Sequence, residues 1–142
     1  MDKNERVLTV AIIGAGSRGA DSYGKIMNED PRFKIVSVCD KRQVKLDAVK
    51  ERFKISDDNL FLDEKDFFAK KRADICIVAT QDKDHVRHCI AALKAGYDVL
   101  LEKPITDSKA ECEKLLATQK TIRRKGRCLP CSSLCTSFFG CF

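Results

Sequence analysis

The sequence predicts an α/β domain built on a doubly wound parallel sheet. Three observations carry that reading. Five short apolar runs alternate with longer amphipathic stretches through the first 126 residues. The runs are close to continuously apolar, as strands buried on both faces must be. The connections are short, so each strand–helix–strand unit crosses over in the right-handed sense and helices cover both faces of the sheet.

The first strand is Leu8-Thr9-Val10-Ala11-Ile12-Ile13. A glycine-rich turn follows and opens a helix running to about Asn28, stopped by Asp30-Pro31 because a residue before proline avoids helical backbone. Phe33–Cys39, rich in Ile and Val, is the second strand. Gln43–Phe53 reads as a helix with Val44, Ala48, Val49 and Phe53 at helical spacing. Residues 60–62 form a short third strand, and Phe67, Phe68 and Ala69 sit in a brief helix after it. The fourth strand spans residues 74–79. His85–Ala95 is a helix with Val86, Cys89, Ile90 and Leu93 on one stripe, Asp82 as N-cap and Gly96 at its C-terminal end. Asp98–Leu101 is the fifth strand. Ser108 and Glu111 then make a capping box ahead of a helix carrying Cys112, Leu115, Leu116, Gln119 and Ile122.

Composition narrows the function classes. The 142 residues carry 27 Lys and Arg against 21 Asp and Glu, and 44% are hydrophobic, which excludes an intrinsically disordered chain. No apolar run reaches the roughly 18 residues that span a bilayer, so no membrane association is expected. The mixed-charge start, Met1-Asp2-Lys3-Asn4-Glu5-Arg6, lacks a secretory pattern, and a cytoplasmic, reducing setting is expected. The basic residues Lys120, Arg123, Arg124, Lys125 and Arg127 have no aromatic platform or reading helix beside them. They read as a solvated helix end, not as a nucleic-acid surface. His85 and His88 are the only histidines, too few for a metal site. His85 is expected to pack and hydrogen-bond near the turn, and His88 to lie on the helix surface.

The chemistry concentrates at the turn after the first strand. Gly14-Ala15-Gly16-Ser17-Arg18-Gly19 fits G-x-G-x-x-G between a strand and a helix, the context in which that motif is informative. Gly14 permits the tight turn, Gly16 lets a pyrophosphate approach the backbone, and Gly19 lets the helix pack on the strand. Backbone N–H groups of the loop and the helix dipole then hold phosphate charge, with Arg18 as a further donor. Asp40 closes the second strand, 21 residues after Gly19, where a carboxylate accepts from the ribose hydroxyls of a dinucleotide. It would repel a 2′-phosphate, which favours NAD over NADP, whereas Lys41 and Arg42 beside it work the other way.

A second constellation, Glu102-Lys103-Pro104, follows the fifth strand at the same edge of the sheet. A partly desolvated lysine there can exchange a proton with a substrate hydroxyl. Three segments resemble the Gfo/Idh/MocA family of oxidoreductases. They are residues 10–19; Ala79-Thr80-Gln81-Asp82-Lys83-Asp84-His85, with Gln81 where the family has proline; and Ala92-Leu93-Lys94-Ala95-Gly96-Tyr97-Asp98-Val99-Leu100-Leu101-Glu102-Lys103-Pro104. The resemblance covers residues 8–126. It implies a Rossmann-type NAD(P)-binding domain, with a sixth strand and a second, substrate-binding domain to be expected in a longer chain. It further implies that Ala79, Thr80 and Gln81 line the adenine and ribose side and that His85 sits near the cofactor loop. Glu102, Lys103 and Pro104 would lie toward the nicotinamide, the Lys103–Pro104 bond often being cis in the family. Lys103 would be the catalytic residue, and the reaction hydride transfer between nicotinamide and a hydroxyl-bearing carbon of a sugar- or cyclitol-like substrate. The family is often homo-oligomeric. Two other classes share parts of the pattern. An S-adenosylmethionine-dependent methyltransferase also uses a glycine loop and an acid after the second strand, although the Glu102-Lys103-Pro104 turn counts against it. A non-catalytic nucleotide- or metal-binding module is the other.

Residues 127–142 break the composition. Cys128, Cys131, Cys135 and Cys141 crowd there, whereas Cys39, Cys76, Cys89 and Cys112 are dispersed and read as ordinary buried thiols. The spacing lacks the long spacer between two zinc knuckles, and a reducing setting disfavours a disulfide cluster. Read one base out of frame, codons 129–134 can encode Cys-His-Val-Leu-Arg-Tyr, close to the family's next strand, and the following two can continue Ala-Pro. Residues 1–126 are therefore expected to be the dinucleotide-binding domain and residues 127–142 a frameshifted continuation, leaving a chain that binds cofactor with little or no turnover. Sequencing the coding DNA checks this: the alternative frame is expected downstream of Arg127, and its absence returns the zinc reading.

Overall fold

The computed structural model describes residues 6–102 and 106–124, and the whole Cys-rich tail lies outside them. Five strands, β1 (Leu8–Ile13), β2 (Phe33–Cys39), β3 (Leu60–Phe61), β4 (Ile75–Val78) and β5 (Asp98–Leu101), form one sheet in the order β3-β2-β1-β4-β5. Every pairing is parallel. The doubly wound sheet is therefore present as expected, with β3 and β4 one or two residues shorter than the apolar runs. Just ahead of β4 a side chain ties the strand down. The Asp74 carboxylate accepts from the Thr9 amide at 3.0 Å and the Thr9 hydroxyl at 2.9 Å, and pairs with Arg6, so it anchors the start of the strand from outside.

Alternation along β1 divides the core. Val10 and Ile12 face one layer, with Leu46, Val49 and Phe53 of α2 (Gln43–Phe53). Ala11 and Ile13 face the other, with Val86, Cys89 and Leu93 of α4 (His85–Ala95) and Leu115 and Ile122 of α5 (Lys109–Arg124). From Val10 to Ile13 both faces of β1 are sealed, which is why that stretch is an unbroken apolar run. In β2 the register slips: Val10 pairs with Ile35 but Ala11 with Ser37, leaving Val36 as a bulge. The buried Ser37 hydroxyl is satisfied by donating to the Asn59 carbonyl at 3.0 Å.

Four expectations need correcting in detail. On α2 the buried stripe is Leu46, Val49 and Phe53, while Val44 is 78% exposed and Ala48 is exposed. Spacing of i, i+3, i+7 puts those three on the sheet side, and Val44 lies roughly 160° round the helix from Leu46. Asp82 does not cap α4; it starts a 3₁₀ turn, Asp82–Asp84, and Asp84 leads directly into the helix. At α5 the Ser108 hydroxyl accepts from the Glu111 amide at 3.4 Å, but the Glu111 carboxylate accepts from the Thr106 hydroxyl instead of closing the box. Finally, the first helix is not α-helical throughout. Ser17–Gly24 is π-wound, with Ala20 and Asp21 both donating to the Gly16 carbonyl, and only α1 (Lys25–Glu29) is regular. Gly96 terminates α4 as expected, at φ +100°, with Tyr97 N–H reaching the Ala92 carbonyl at 3.1 Å.

Phe67, in the last turn of α3 (Glu64–Phe68), is fully buried and stacks on Tyr97 while meeting Phe61 and Phe68 edge-on. Truncating this hub leaves a cavity that its neighbours, held by the sheet, fill only in part. Phe67→Ala is expected to lower the unfolding free energy by about 4 kcal/mol in urea titration.

Candidate functional site

The sheet order reverses direction between β1 and β4, so the loops after these strands part and leave a crevice at the carboxyl edge. A cavity of about 440 Å³ occupies it. Gly14 and Gly16 from the first loop, Asp40, Lys41 and Arg42 from the second, and Ala79, Thr80 and Gln81 from the fourth line its wall. Leu62, Glu64, Lys83, Asp84 and His88 complete it, with Ile13 and Cys39 at the base.

The three motif glycines differ in what they exclude. Gly14 has φ +97°, and a Cβ there would sit 2.5 Å from the Ala79 carbonyl oxygen. A Cβ on Gly19 would fall 1.9 Å from the Gly14 carbonyl oxygen. Both are demanded by the fold. Gly16 is not: its backbone is extended, and the nearest atom to an added Cβ is an Arg42 guanidinium nitrogen at 3.8 Å. A side chain there would project into open space over the first turn of the helix. That cradle fits a phosphate-bearing cofactor, because it places unshielded backbone at the helix start where N–H groups lack intrahelical acceptors.

Asp40 is buried at the end of β2 and fully engaged. Its Oδ2 accepts from the Ala15 amide at 2.8 Å and from the Arg42 guanidinium at 3.0 Å. Its Oδ1 accepts from Arg42 Nε at 3.0 Å and the Arg42 amide at 2.9 Å. Burial pushes the Asp40 carboxyl up, but these bonds from Arg42 and Ala15 outweigh it and hold the group below the ordinary carboxylate value.

On the opposite wall, two histidines are buried side by side. His85 Nε2 donates to the Thr80 carbonyl at 3.0 Å, which matches the packing role expected of it. His88 is only 3% exposed, contrary to the surface position its place in the helix suggested. Its Nε2 faces the Glu64 carboxylate, an obligate acceptor, so Nε2 carries the proton and Nδ1 accepts from the Thr80 hydroxyl at 2.8 Å. Glu64 also pairs with Arg87, which bridges to Asp84 at 3.0 Å. Burial pushes Glu64 up, but Arg87 and His88 hold it low. Burial drives the Cys39 thiol up to about 12, so the one sulfur on the cavity wall is no nucleophile.

Of the expected site residues, Gly14, Gly16, Asp40, Lys41, Arg42, Ala79, Thr80 and Gln81 share the cavity wall. Ala15, Gly19 and His85 are buried behind it, and Ser17 and Arg18 are exposed on the helix start. Glu102 stands at the end of β5, its amide donating to the Val78 carbonyl and its carboxylate accepting from the Tyr23 hydroxyl. Lys103 and Pro104 lie outside the described residues. Glu64, Lys83 and His88 were not foreseen. Their signal was positional: Glu64 begins the helix after β3, and His88 is one turn beyond His85, so both stand at the carboxyl edge. Among the described residues no group of His, Cys, Asp or Glu is arranged to hold a metal, and no helix is long and apolar enough to cross a membrane.

Comparison with known proteins places these features. Residues 8–129 match the family model described as "Oxidoreductase family, NAD-binding Rossmann fold". Inositol 2-dehydrogenase of Salmonella paratyphi B is 27% identical over 118 residues, covering 82% of this chain and 35% of the relative. D-glucoside 3-dehydrogenase of Escherichia coli is 25% identical over 115 residues, covering 81% and 32%. This chain thus spans about a third of the length of the curated relatives it matches. The WlbA dehydrogenase of Chromobacterium violaceum, solved in complex with NADH and UDP-GlcNAcA, superposes with a TM-score of 0.74 at 23% identity, covering 84% of this chain and 34% of its own. That likeness shows the fold. The methyltransferase reading is set aside by the family match.

Burial lowers the His88 pKa from its ordinary 6.5, and the hydrogen bond that it donates to Glu64 only partly offsets that. A histidine with a depressed folded pKa contributes stability that is present above 6.5 and lost as pH falls through the folded value. Ring-proton NMR is expected to show His88 titrating below 6.5 and lower still in Glu64→Gln; titration at or above 6.5 contradicts the assignment.

Proposed function

The chain belongs to the Gfo/Idh/MocA oxidoreductase family, and from that premise we propose that the crevice binds NAD(P)(H) through the Gly14–Gly16 backbone, with the adenosine half in the cavity between Asp40–Arg42 and Ala79–Gln81. The observation that carries the reading is Gly16. Its backbone suits any residue and its surroundings leave room for a side chain, so folding alone does not account for a glycine there. Close approach of a ligand to that backbone does.

The chain's residues divide the work. Amides at the start of the π-wound helix donate to the pyrophosphate oxygens, and exposed Arg18 adds a further donor there. The His88–Thr80–His85 group fixes the β4 loop so that its backbone forms a rigid wall for the base. At the far end, Tyr23 ties the first helix to Glu102, bringing the residue next to Lys103 to the same crevice. Bound nicotinamide supplies the hydride donor or acceptor. Lys103 exchanges a proton with the hydroxyl or carbonyl of the carbon that reacts. The relatives are named as inositol and glucoside dehydrogenases, so a polyol or sugar-like substrate is the class proposed for the full-length enzyme.

Titration with NADH, followed by its fluorescence, tests the reading. Binding by the native chain is expected, and Gly16→Val is expected to weaken it about tenfold or more without moving the thermal unfolding midpoint. Equal binding by Gly16→Val, or none by the native chain, overturns it.

A further inference from the structure

We propose that Glu64 and His88 are positioning residues of the cofactor site. Through a buried relay they make the Thr80 hydroxyl a pure acceptor on the crevice wall, and protonation of His88 reverses the relay and weakens cofactor binding. The inference rests on the cofactor reading above and concerns only the polarity of this one contact.

Each step of the relay has a fixed direction. Glu64 is held ionised by Arg87 and His88, so its oxygens only accept. His88 Nε2 therefore carries the proton that faces Glu64, and Nδ1 keeps a lone pair. Thr80 Oγ1 lies 2.8 Å from that Nδ1 and gives it its proton. A hydroxyl has one proton and two lone pairs, so lone pairs are all that this side chain has left for a ligand. The Thr80 carbonyl is engaged by His85, and the half-buried Thr80 stands on the cavity wall between Ala79 and Gln81. An atom in that state selects a donor. The adenosine half of a dinucleotide carries donors of two kinds, the 6-amino group of the base and the ribose hydroxyls.

Protonated imidazole has an N–H on both nitrogens. Nδ1 then donates to Thr80 Oγ1, which spends one lone pair, and the freed hydroxyl proton competes for the direction that a ligand's donor needs. The groups packed around the ring decide when this happens. Glu64 and the Phe68 ring face it from α3, Asp84 from the turn before α4 and Arg87 from its own helix. The Cys39 thiol shares the cavity wall and stays protonated, being pushed up to about 12. Glu64 and Asp84 favour the imidazolium, whereas Arg87 and burial oppose it, and burial is the largest influence. The added positive charge would by itself draw an anionic dinucleotide in, so the relay predicts the opposite sign from simple electrostatics.

Calorimetric titration of the native chain with NAD⁺ between about pH 5 and 8 tests this. Affinity is expected to be flat above 6.5 and to fall about fivefold as His88 takes up its proton, at the midpoint given by ring-proton NMR. By reciprocity, saturating NAD⁺ is expected to move the ring titration lower. Glu64→Gln is expected to carry both midpoints down together, a shift that a merely structural role would not produce. Thr80→Val is expected to lose about fivefold in affinity at high pH and the pH dependence with it, with its thermal unfolding midpoint measured alongside, whereas Thr80→Ser keeps both. A loss in Thr80→Val that vanishes with the hypoxanthine analogue of NAD⁺ supports the proposal with the 6-amino group as donor; a loss that persists supports it with a ribose hydroxyl. Affinity that holds or rises on acidification, an unmoved midpoint in Glu64→Gln, or native affinity in Thr80→Val each overturns the proposal while leaving the cofactor reading intact. No binding of NAD⁺ at any pH overturns both.

Discussion

The turn after β1 presses against the end of β4 at distances that no side chain survives, and the rest of the site follows from that approach. Gly14 takes a left-handed backbone so that its Cα can lie against the Ala79 carbonyl, and Gly19 then packs on Gly14 from one turn into the helix. The two contacts fix where the helix begins relative to the sheet. They set the position of Gly16, hence of the phosphate cradle, and they bring the loop amide of Ala15 to Asp40. A crevice whose two walls come from strands β1 and β4 is then unavoidable, since these neighbours send their loops in opposite directions.

The electrostatics of the crevice show a second constraint. Each buried or half-buried acid or imidazole on its wall is provided with a partner before any ligand arrives: Asp40 with Arg42, Glu64 with Arg87 and His88, His88 with Thr80. Burying these groups is costly in isolation, and the pairing offsets the cost within the protein. A wall of this kind holds its shape without a cofactor. Polar groups that stay open toward the cavity, such as the exposed Lys41 and Lys83, are the long and solvated ones.

How much of this could be read from the residues depended on the range of the signal. The alternation of strands and helices, the glycine turn and Asp40 are local or periodic features, and a chain of alternating runs with a G-x-G-x-x-G after the first declares them. The stripe on α2 misled because Val44 and Ala48 share helical spacing with Val49 and Phe53, and spacing alone does not say which side of a helix the sheet will claim; Leu46 settled it only once the sheet was in place. His88 was misplaced for a related reason. Its burial depends on Glu64, 24 residues earlier, and a hydrogen bond between two helices leaves no trace in the pattern of either.

The position of β1 has a consequence for how the chain acquires its shape. Val10 pairs with Ile35 on one side and Ile75 on the other, so the central strand finds its first neighbour early and its second only after some sixty-five residues have been made. Parallel pairings of that separation close large loops and are correspondingly slow to form. During synthesis, therefore, a β1–β2 unit with one apolar edge exposed must wait for β4 before the glycine turn can settle against the Ala79 carbonyl. The crevice is the last part of this half of the sheet to be assembled, and the period before β4 docks is when an unshielded strand edge leaves the nascent protein most open to pairing with another chain.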